Sequence, residues 1–433
     1  MRPYRVLVFI VYVMALLGAL YWAFPDVKLL RQEPRVISQE TEVEIDTIVE
    51  FPVLAKLDTI APDTIITDTI IADTIVPEVP KPVIPKIAVD STTDSRVFLA
   101  SFYTALGEAG NRKVRVLHYG DSQIEEDRMT MEIREALQTR YGGKGVGLMP
   151  LAQTIPTLTV KQELYLSDRL VTPQQGPRRY MVYGPKRTQR TDGLYGVMGQ
   201  MAVMNDSLIS GSEEVMAVCH PILPTALYDH WRVFADSSIH YTTTIDTVWL
   251  SGRGNVYGLS QESRTGVIVD NVPMRGCIGL VFTKMDTEQL STFYRKENVR
   301  LIIMQFGGNA IPFNQNPSTI SGIVKGLRQQ VRYLHTCAPE ASILFIGPSD
   351  MLTQVDGEWQ TYPMVPYMDR LLRKMALEEN IAYFSLYRWQ SASGGMMRWQ
   401  EIGLAGADGV HFNRAGARKA GKAIGKWILD GMD

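Results

Sequence analysis

Near the N-terminus, the apolar positions follow two patterns that are not typical of a folded domain. Residues 6–24 are uncharged and mostly apolar, a run long enough for a helix that crosses a bilayer. Within residues 30–94, Asp-Thr-Ile recurs every five residues, starting at Asp58, Asp63, Asp68 and Asp73. A period of five keeps no face apolar in a helix or a strand, so an extended linker is predicted. We therefore expect a membrane anchor at 1–29, with a cleaved signal peptide as the alternative.

From residue 95 onward, short apolar runs alternate with segments of helical spacing. The run at 114–119 predicts a strand, and the residues after it predict a helix. The same alternation returns after about residue 290 and continues to the last helix. It predicts a parallel sheet with helices on both faces, built from residues 95–153 and 276–433.

The segment 154–275 interrupts this alternation. It contains short runs rich in Thr, Tyr and Val, separated by Gly, Asn and Asp, with little helical periodicity. We expect an inserted β-rich domain, arranged as a sandwich. The alternative is a long irregular excursion, which is uncommon at this length in a compact domain.

Composition narrows the classes of partner. The 433 residues are 45% hydrophobic and 21% charged, which is a globular balance with room for more than one domain. A formal net charge of -2, without a basic stripe interleaved with aromatic residues, argues against a nucleic-acid partner. The chain has three cysteines, Cys219, Cys277 and Cys337. They are too few and too scattered for a disulfide framework, and no metal site is predicted.

The first candidate for chemistry is Ser122, because the predicted strand at 114–119 runs directly into Gly120-Asp121-Ser122. Ligands bind beyond the carboxyl ends of parallel strands, and the N-terminus of the following helix favours negative charge. This position suits a nucleophile. The same tripeptide also forms ordinary turns and helix caps, so alone it is a weak signal.

Other candidates lie at similar positions. Asp408 and His411 are three residues apart before the last helix, where they could supply a general base and the carboxylate that orients it. Asn309 follows a predicted strand and could donate to an oxyanion, as could the backbone N–H of Gly276. Taken singly, each of these residues also fits a simple turn or capping loop.

Together, three short blocks resemble the signatures of the SGNH-type GDSL hydrolases: Gly-Asp-Ser-Gln at 120–123, Gly-Gly-Asn-Ala at 307–310 and Asp-Gly-Val-His at 408–411. Gly276 matches the glycine block of that family. The resemblance implies a flavodoxin-like, three-layer α/β fold. It also implies Ser122 as nucleophile, His411 as base and Asp408 as its orienting carboxylate. The oxyanion hole would use the N–H groups of Ser122 and Gly276 with the Asn309 amide.

Within the family, the layout is similar to peptidoglycan O-acetylesterases, in which a β-sandwich resembling a carbohydrate-binding module interrupts the hydrolase domain. Gln123 stands where the family often has Leu, which argues against its lipase-like members. The resemblance implies a membrane-anchored serine esterase, periplasmic or otherwise extracytoplasmic, that deacetylates an envelope polysaccharide without a cofactor. The alternatives are an O-acetyltransferase with the same acyl-enzyme and a non-catalytic protein that binds envelope glycans.

Overall fold

The computed structural model describes residues 93–153, 155–166, 169–171, 178–181, 200–203, 214–222, 228–355 and 357–432. The anchor predicted at 1–29, and the linker residues before 93, lie outside the described residues. Among the helices in the described ranges, none is long and apolar enough to span a bilayer.

The described residues contain strands, α-helices and short 3₁₀ turns. The strands are β1 (Lys113–Gly120), β2 (Gly147–Met149), β3 (Val160–Leu166), β4 (Arg169–Val171), β5 (Arg178–Met181), β6 (Gln200–Val203), β7 (Val215–Pro221), β8 (His230–Ala235), β9 (Ile239–Thr243), β10 (Thr247–Gly252), β11 (Asn255–Glu262), β12 (Gly266–Pro273), β13 (Val299–Gln305), β14 (Ser342–Ile346), β15 (Leu352–Val355), β16 (Glu358–Thr361) and β17 (Ala382–Phe384). The α-helices are α1 (Ala100–Leu106), α2 (Thr130–Tyr141), α3 (Thr287–Lys296), α4 (Pro317–Cys337), α5 (Met364–Glu378), α6 (Leu386–Ser391), α7 (Gly395–Glu401) and α8 (Arg414–Leu429).

A five-stranded parallel sheet forms the centre of the fold. Its strands lie in the order β12-β1-β13-β14-β17, and every neighbouring pair is parallel. Counted along the chain, this is the order 2-1-3-4-5 of flavodoxin-like sheets, so the parallel α/β fold is as predicted. The strand order reverses between β1 and β13. In such sheets, the crevice beyond the carboxyl ends of these two strands is where ligands bind.

Helices cover both faces of this sheet because successive side chains of a strand point to opposite sides. On β1, Leu117 and Tyr119 belong to one apolar cluster, together with buried residues of α3, α4 and α5. Val114 and Val116 belong to the other cluster, with α1, α2 and α8. Helix α4 begins at Pro317, where the missing N–H costs nothing, and the Asn316 side chain caps it. The result is the predicted three-layer arrangement.

Two antiparallel sheets occupy the β-rich middle of the chain. One has the order β4-β3-β7-β10-β9, and the other contains β2, β11, β6 and β5, with β8 also paired to β11. Buried apolar residues from both sheets form one cluster, including Leu164 and Val248 of the first and Leu259 of the second. The β-rich character is as predicted. The sandwich stays a prediction, because much of 167–227 lies outside the described residues.

The predicted boundaries of the β-rich insert, 154 and 275, do not coincide with the sheets. Strand β12 pairs with β1 in the central sheet, although it lies inside the predicted insert. Strand β2 pairs with β11 of the antiparallel sheet, although it lies before the insert. The reason is that β11 and β12 are consecutive buried strands separated only by residues 263–265. The amino-acid composition is therefore similar on both sides of the point where the chain passes from the antiparallel sheet to the central sheet.

A fully buried arginine, Arg115 of β1, joins the central sheet to the antiparallel sheet. Its guanidinium pairs with Glu262 of β11, and its Nε lies 3.5 Å from Oδ2 of Asp270 on β12. Its Nη1 lies 3.5 Å from Oε2 of Glu297. Burial alone would raise the pKa of Glu262, but Arg115 and Lys113 lower it below its usual value. The cluster therefore holds ionised carboxylates in a place from which water is largely excluded.

Replacing Arg115 with methionine is expected to lower the free energy of unfolding by about 3 to 5 kcal/mol, because buried carboxylates would lose their partner. Urea denaturation measures the change. Lys113→Met is the control: Lys113 also contacts Glu262 but is 17% exposed, so water can replace it and a smaller loss is expected. An Arg115→Met loss below about 1 kcal/mol, as for a surface ion pair, would contradict the prediction.

Candidate active site

Ser122 lies where the central sheet ends at β1. Gly120 closes the strand, and a Cβ added there would lie 2.9 Å from the Ile124 side chain, so a larger residue would displace Ile124. Asp121 then caps the 3₁₀ turn Ser122–Asp127 by accepting the N–H of Gln123 at 2.9 Å. Ser122 is the first residue of that turn, a position whose N–H has no partner within the helix. Its hydroxyl and its N–H are thus available at the sheet edge.

The structure brings His411 and Asp408 to Ser122. The Nε2 atom of His411 lies 2.9 Å from the Ser122 Oγ, and its Nδ1 lies 2.7 Å from Oδ2 of Asp408. The other Asp408 oxygen accepts the backbone N–H groups of Val410 and His411, both at 3.0 Å. Burial would raise the pKa of Asp408, but these hydrogen bonds lower it below its usual value. The ionised carboxylate favours a proton on Nδ1, which leaves Nε2 to accept the serine proton.

Asn309 lies at the end of the neighbouring strand β13, in the 3₁₀ turn Gly308–Ala310. The turn is possible because Gly307 has a φ of 108°, a left-handed conformation that favours glycine. The Asn309 amide donates to Oδ2 of Asp121 at 3.2 Å and to the carbonyl of Cys277 at 3.1 Å. Both amide hydrogens therefore have partners, and one contact must lengthen before this group can donate to an oxyanion.

Gly276 lies in a turn closed by a hydrogen bond from the Cys277 N–H to the Met274 carbonyl at 3.0 Å. Its φ of 72° is the value that a type II turn requires at this position, which explains the glycine. The Gly276 N–H makes no hydrogen bond to the described residues. The turn is next to Asn309 through Cys277, although Gly276 itself does not line the cavity described below.

A cavity of about 140 Å³ opens beside the Ser122 hydroxyl. Ser122, His411 and Asn309 line it, and its remaining walls come mainly from residues that follow β13 and β14: Phe306, Pro312, Phe313, Pro348, Ser349 and Met351. The cavity is small beside typical ligand pockets of about 300 to 1,000 Å³. It has room for a short acyl group next to the serine.

Comparison with known proteins bears on the fold. No protein-family model matches the sequence, and no curated protein matches it either. Among solved structures, a peptidoglycan O-acetylesterase is similar at a TM-score of 0.58 and 17% identity, over 78% of this chain and 98% of that one. This chain has the SGNH hydrolase fold. A carbohydrate acetylesterase from Sinorhizobium meliloti matches over 38% of this chain and 79% of its own, at 16% identity and a TM-score of 0.28.

Neither a metal site nor a disulfide is found among the residues that the structure describes. There, no three residues among His, Cys, Asp and Glu are grouped as ligands of a metal ion. The cysteines are buried and form no disulfide with one another: Cys219, Cys277 and Cys337. The groups that line the cavity include a carboxylate, a hydroxyl, an amide and an imidazole, from Asp121, Ser122, Asn309 and His411.

Two contacts that sequence reasoning missed connect the turns around Ser122. Asp121 is buried, which raises its pKa to about 6 although the Gln123 N–H opposes this, and its oxygens join the Ser122 turn to Asn309. Arg275 makes a two-point ion pair with Glu125, at 2.6 and 2.7 Å, and so fixes the Gly276 turn to the Ser122 turn. Arg275 directly precedes the glycine block, but nothing local indicated that its partner lies 150 residues away.

For the ester hydrolysis proposed below, replacing Asn309 with alanine is expected to lower kcat by about 10²- to 10³-fold with little change in KM, because an oxyanion donor acts mainly in the transition state. Steady-state kinetics measure both constants. Asn314→Ala is the matched control, since Asn314 also lies after β13 and donates to the Ala310 carbonyl but does not line the cavity. Equal kcat losses in the two variants would rule out an oxyanion role for Asn309.

Proposed function

We propose that this protein is a serine esterase that removes a small acyl group, most simply acetyl, from a cell-envelope polysaccharide such as peptidoglycan. The observation that carries the proposal is the continuous chain of hydrogen bonds from Ser122 through His411 to Asp408, at 2.9 and 2.7 Å. This arrangement activates a hydroxyl that is otherwise a poor nucleophile. It lies at the strand-order reversal, where a flavodoxin-like sheet binds its ligands.

The reaction follows from the positions of these groups. Ser122 Oγ attacks the ester carbonyl carbon while His411 Nε2 takes the serine proton. The negative charge that forms on the carbonyl oxygen is stabilised by the Ser122 N–H and the Asn309 amide, which line the cavity. The resemblance implies the Gly276 N–H as a third donor. His411 returns the proton to the departing sugar oxygen, leaving an acyl-serine. Water then attacks the acyl carbon as His411 Nε2 takes its proton. The bond between the acyl carbon and Ser122 Oγ breaks, His411 returns the proton to Oγ, and the acid leaves.

Two observations support a short acyl group and a saccharide. The cavity beside Ser122 is about 140 Å³, and its walls are formed largely by apolar side chains such as Phe306 and Met351. The solved structure with the same fold over most of this chain is a peptidoglycan O-acetylesterase. The proposed anchor at 1–29 and linker at 30–94 would hold the catalytic part outside the cytoplasm, tens of ångströms from the membrane.

The test compares acetate release from O-acetylated peptidoglycan with release from p-nitrophenyl acetate. We expect the wild-type protein to release acetate from both and Ser122→Ala to release it from neither. Peptidoglycan that has first been de-O-acetylated by mild base is the substrate control and should yield no acetate. If neither substrate yields acetate in a Ser122-dependent reaction, the esterase proposal is overturned. Acetate transferred to an added saccharide, instead of to water, would identify an acetyltransferase.

A further inference from the structure

Gln123, the residue after Ser122, contacts the chain on both sides of His411. Its side chain is buried, with 8% of its surface exposed. The Nε2 group donates to the Val410 carbonyl at 2.9 Å, and Oε1 accepts the Phe412 N–H at 3.4 Å. Nε2 also lies 3.3 Å from the hydroxyl of Ser349 in the cavity wall. One side chain therefore connects the nucleophile turn with both neighbours of the base.

Only a carboxamide of this length matches these partners. The Val410 carbonyl needs a donor and the Phe412 N–H needs an acceptor, and a glutamine offers both on one planar group. Glutamate has the same shape but, when ionised, lacks the donor, and leucine or methionine has neither group. A leucine, which is frequent at this position in related hydrolases, would leave the Val410 and Phe412 backbone groups without these bonds.

The loop that carries His411 depends on such inner contacts, because its outer side faces water. The side chains of His411 and Asp408 are 40% and 50% exposed. On the inner side, Arg128 adds a second connection: its Nε donates to the Gln123 carbonyl at 3.0 Å, and its Nη1 donates to the Phe412 carbonyl at 3.4 Å. Arg128 thus contacts the backbone of both the Ser122 turn and the His411 loop, whereas the Gln123 side chain contacts both residues next to His411.

We propose that Gln123 is a positioning residue that holds the His411 loop in register with Ser122, so that Nε2 lies at hydrogen-bonding distance from the hydroxyl before substrate binds. The inference rests on the proposed function, since it assigns a role within that reaction. Misplacing a catalytic group by about 1 Å costs up to about 10²-fold in rate. Loss of the Gln123 contacts should therefore lower kcat. KM should stay nearly unchanged, because Gln123 is only one part of the cavity wall and a methionine of similar length keeps that wall in place.

The test compares Gln123→Met with Gln330→Met in the full chain, using p-nitrophenyl acetate. Gln330 is a matched control outside the cavity: it is buried, and its amide accepts the Thr283 N–H at 2.9 Å and donates to the Thr283 hydroxyl at 3.1 Å. Each variant therefore loses a donor and an acceptor and keeps its side-chain length. We expect Gln123→Met to lose about 10- to 10²-fold in kcat, and Gln330→Met to stay within about twofold of wild type.

Two measurements separate positioning from a general loss of stability. Melting temperatures should fall by similar amounts in both variants, while only Gln123→Met should react more slowly with a fluorophosphonate that labels the serine. Equal kcat losses, or an unchanged kcat in Gln123→Met, would overturn the inference and leave the esterase proposal intact if Ser122→Ala is inactive. If Gln123→Met does not fold, Gln123→Glu replaces it, with the same kcat and labelling criteria. A wild-type protein without esterase activity would overturn both proposals.

Discussion

Ser122→Ala is expected to lower kcat for the proposed acetyl-ester hydrolysis by about 10⁶-fold, the size of loss seen when the nucleophile of a Ser-His-Asp hydrolase is removed. Without the hydroxyl, no acyl-enzyme forms, and His411 has no proton to take from the nucleophile. Only the oxyanion donors and substrate binding remain, and these alone give roughly 10³- to 10⁴-fold over the reaction in water. Single-turnover kinetics with enzyme in excess of substrate can follow so slow a variant.

His411→Ala should lose nearly as much, and the double variant should lose no more than either single one. The reason is that Ser122 and His411, 2.9 Å apart, act as one unit, so removing either already abolishes nucleophilic attack. Ser321→Ala is a control for the serine change: Ser321 donates to a backbone carbonyl in α4, and it does not line the cavity. Kinetic losses that multiply in the double variant would show that the two residues contribute separately, contrary to the proposed mechanism.

The residues brought together at the site could be predicted because each carries a local signal. Ser122 and Asn309 follow strands β1 and β13, and His411 precedes helix α8. The carboxyl ends of parallel strands lie at one edge of a sheet, so the positions of Ser122 and Asn309 favoured a common site. The resemblance to the SGNH-type hydrolases implied that His411 joins them. Asp408 precedes His411 by three residues, so a short turn is enough to bring its carboxylate to the imidazole.

What could not be predicted depends on partners that are distant in sequence. Gln123 and Val410 are 287 residues apart, and the bond between them exists only once β1 and the loop before α8 are in place. Sequence reasoning therefore used Gln123 only as a departure from a family pattern. Arg115 is a similar case. It lies in an apolar strand, and its carboxylate partners come from β11, β12 and the residue after α3.

The insert boundary shows a different limit. Strands β11 and β12 are both buried, and the three residues between them, 263–265, form a connection as short as that of a hairpin. The pattern of apolar residues is the same whether the second strand pairs with the first or leaves for another sheet. Here β12 pairs with β1, and β11 pairs with β2, β6 and β8. Which sheet a strand joins depends on the strands available to pair with it, and the local sequence does not identify those strands.

Asp408→Asn is expected to lower kcat by up to about 10⁴-fold while keeping the loop folded. The asparagine oxygen can still accept the N–H groups of Val410 and His411, which now reach Asp408 at 3.0 Å. Its NH₂ group, however, faces Nδ1 of His411 in place of a carboxylate oxygen. That donor favours the tautomer with the proton on Nε2, so the imidazole presents a hydrogen to Ser122 and cannot take its proton.

The melting temperature of Asp408→Asn should therefore stay close to that of wild type, and kcat should fall without a matching rise in KM. Asp408 is 50% exposed, so water can reach the amide, and the loss should not exceed that of the nucleophile variant. Asn413→Asp controls for an amide and carboxylate exchange nearby: Asn413 caps α8, accepting the Gly416 N–H at 3.0 Å, and an aspartate can do the same. If Asp408→Asn keeps a tenth or more of wild-type kcat, the carboxylate does not set the tautomer of His411, and the base must be oriented by its surroundings alone.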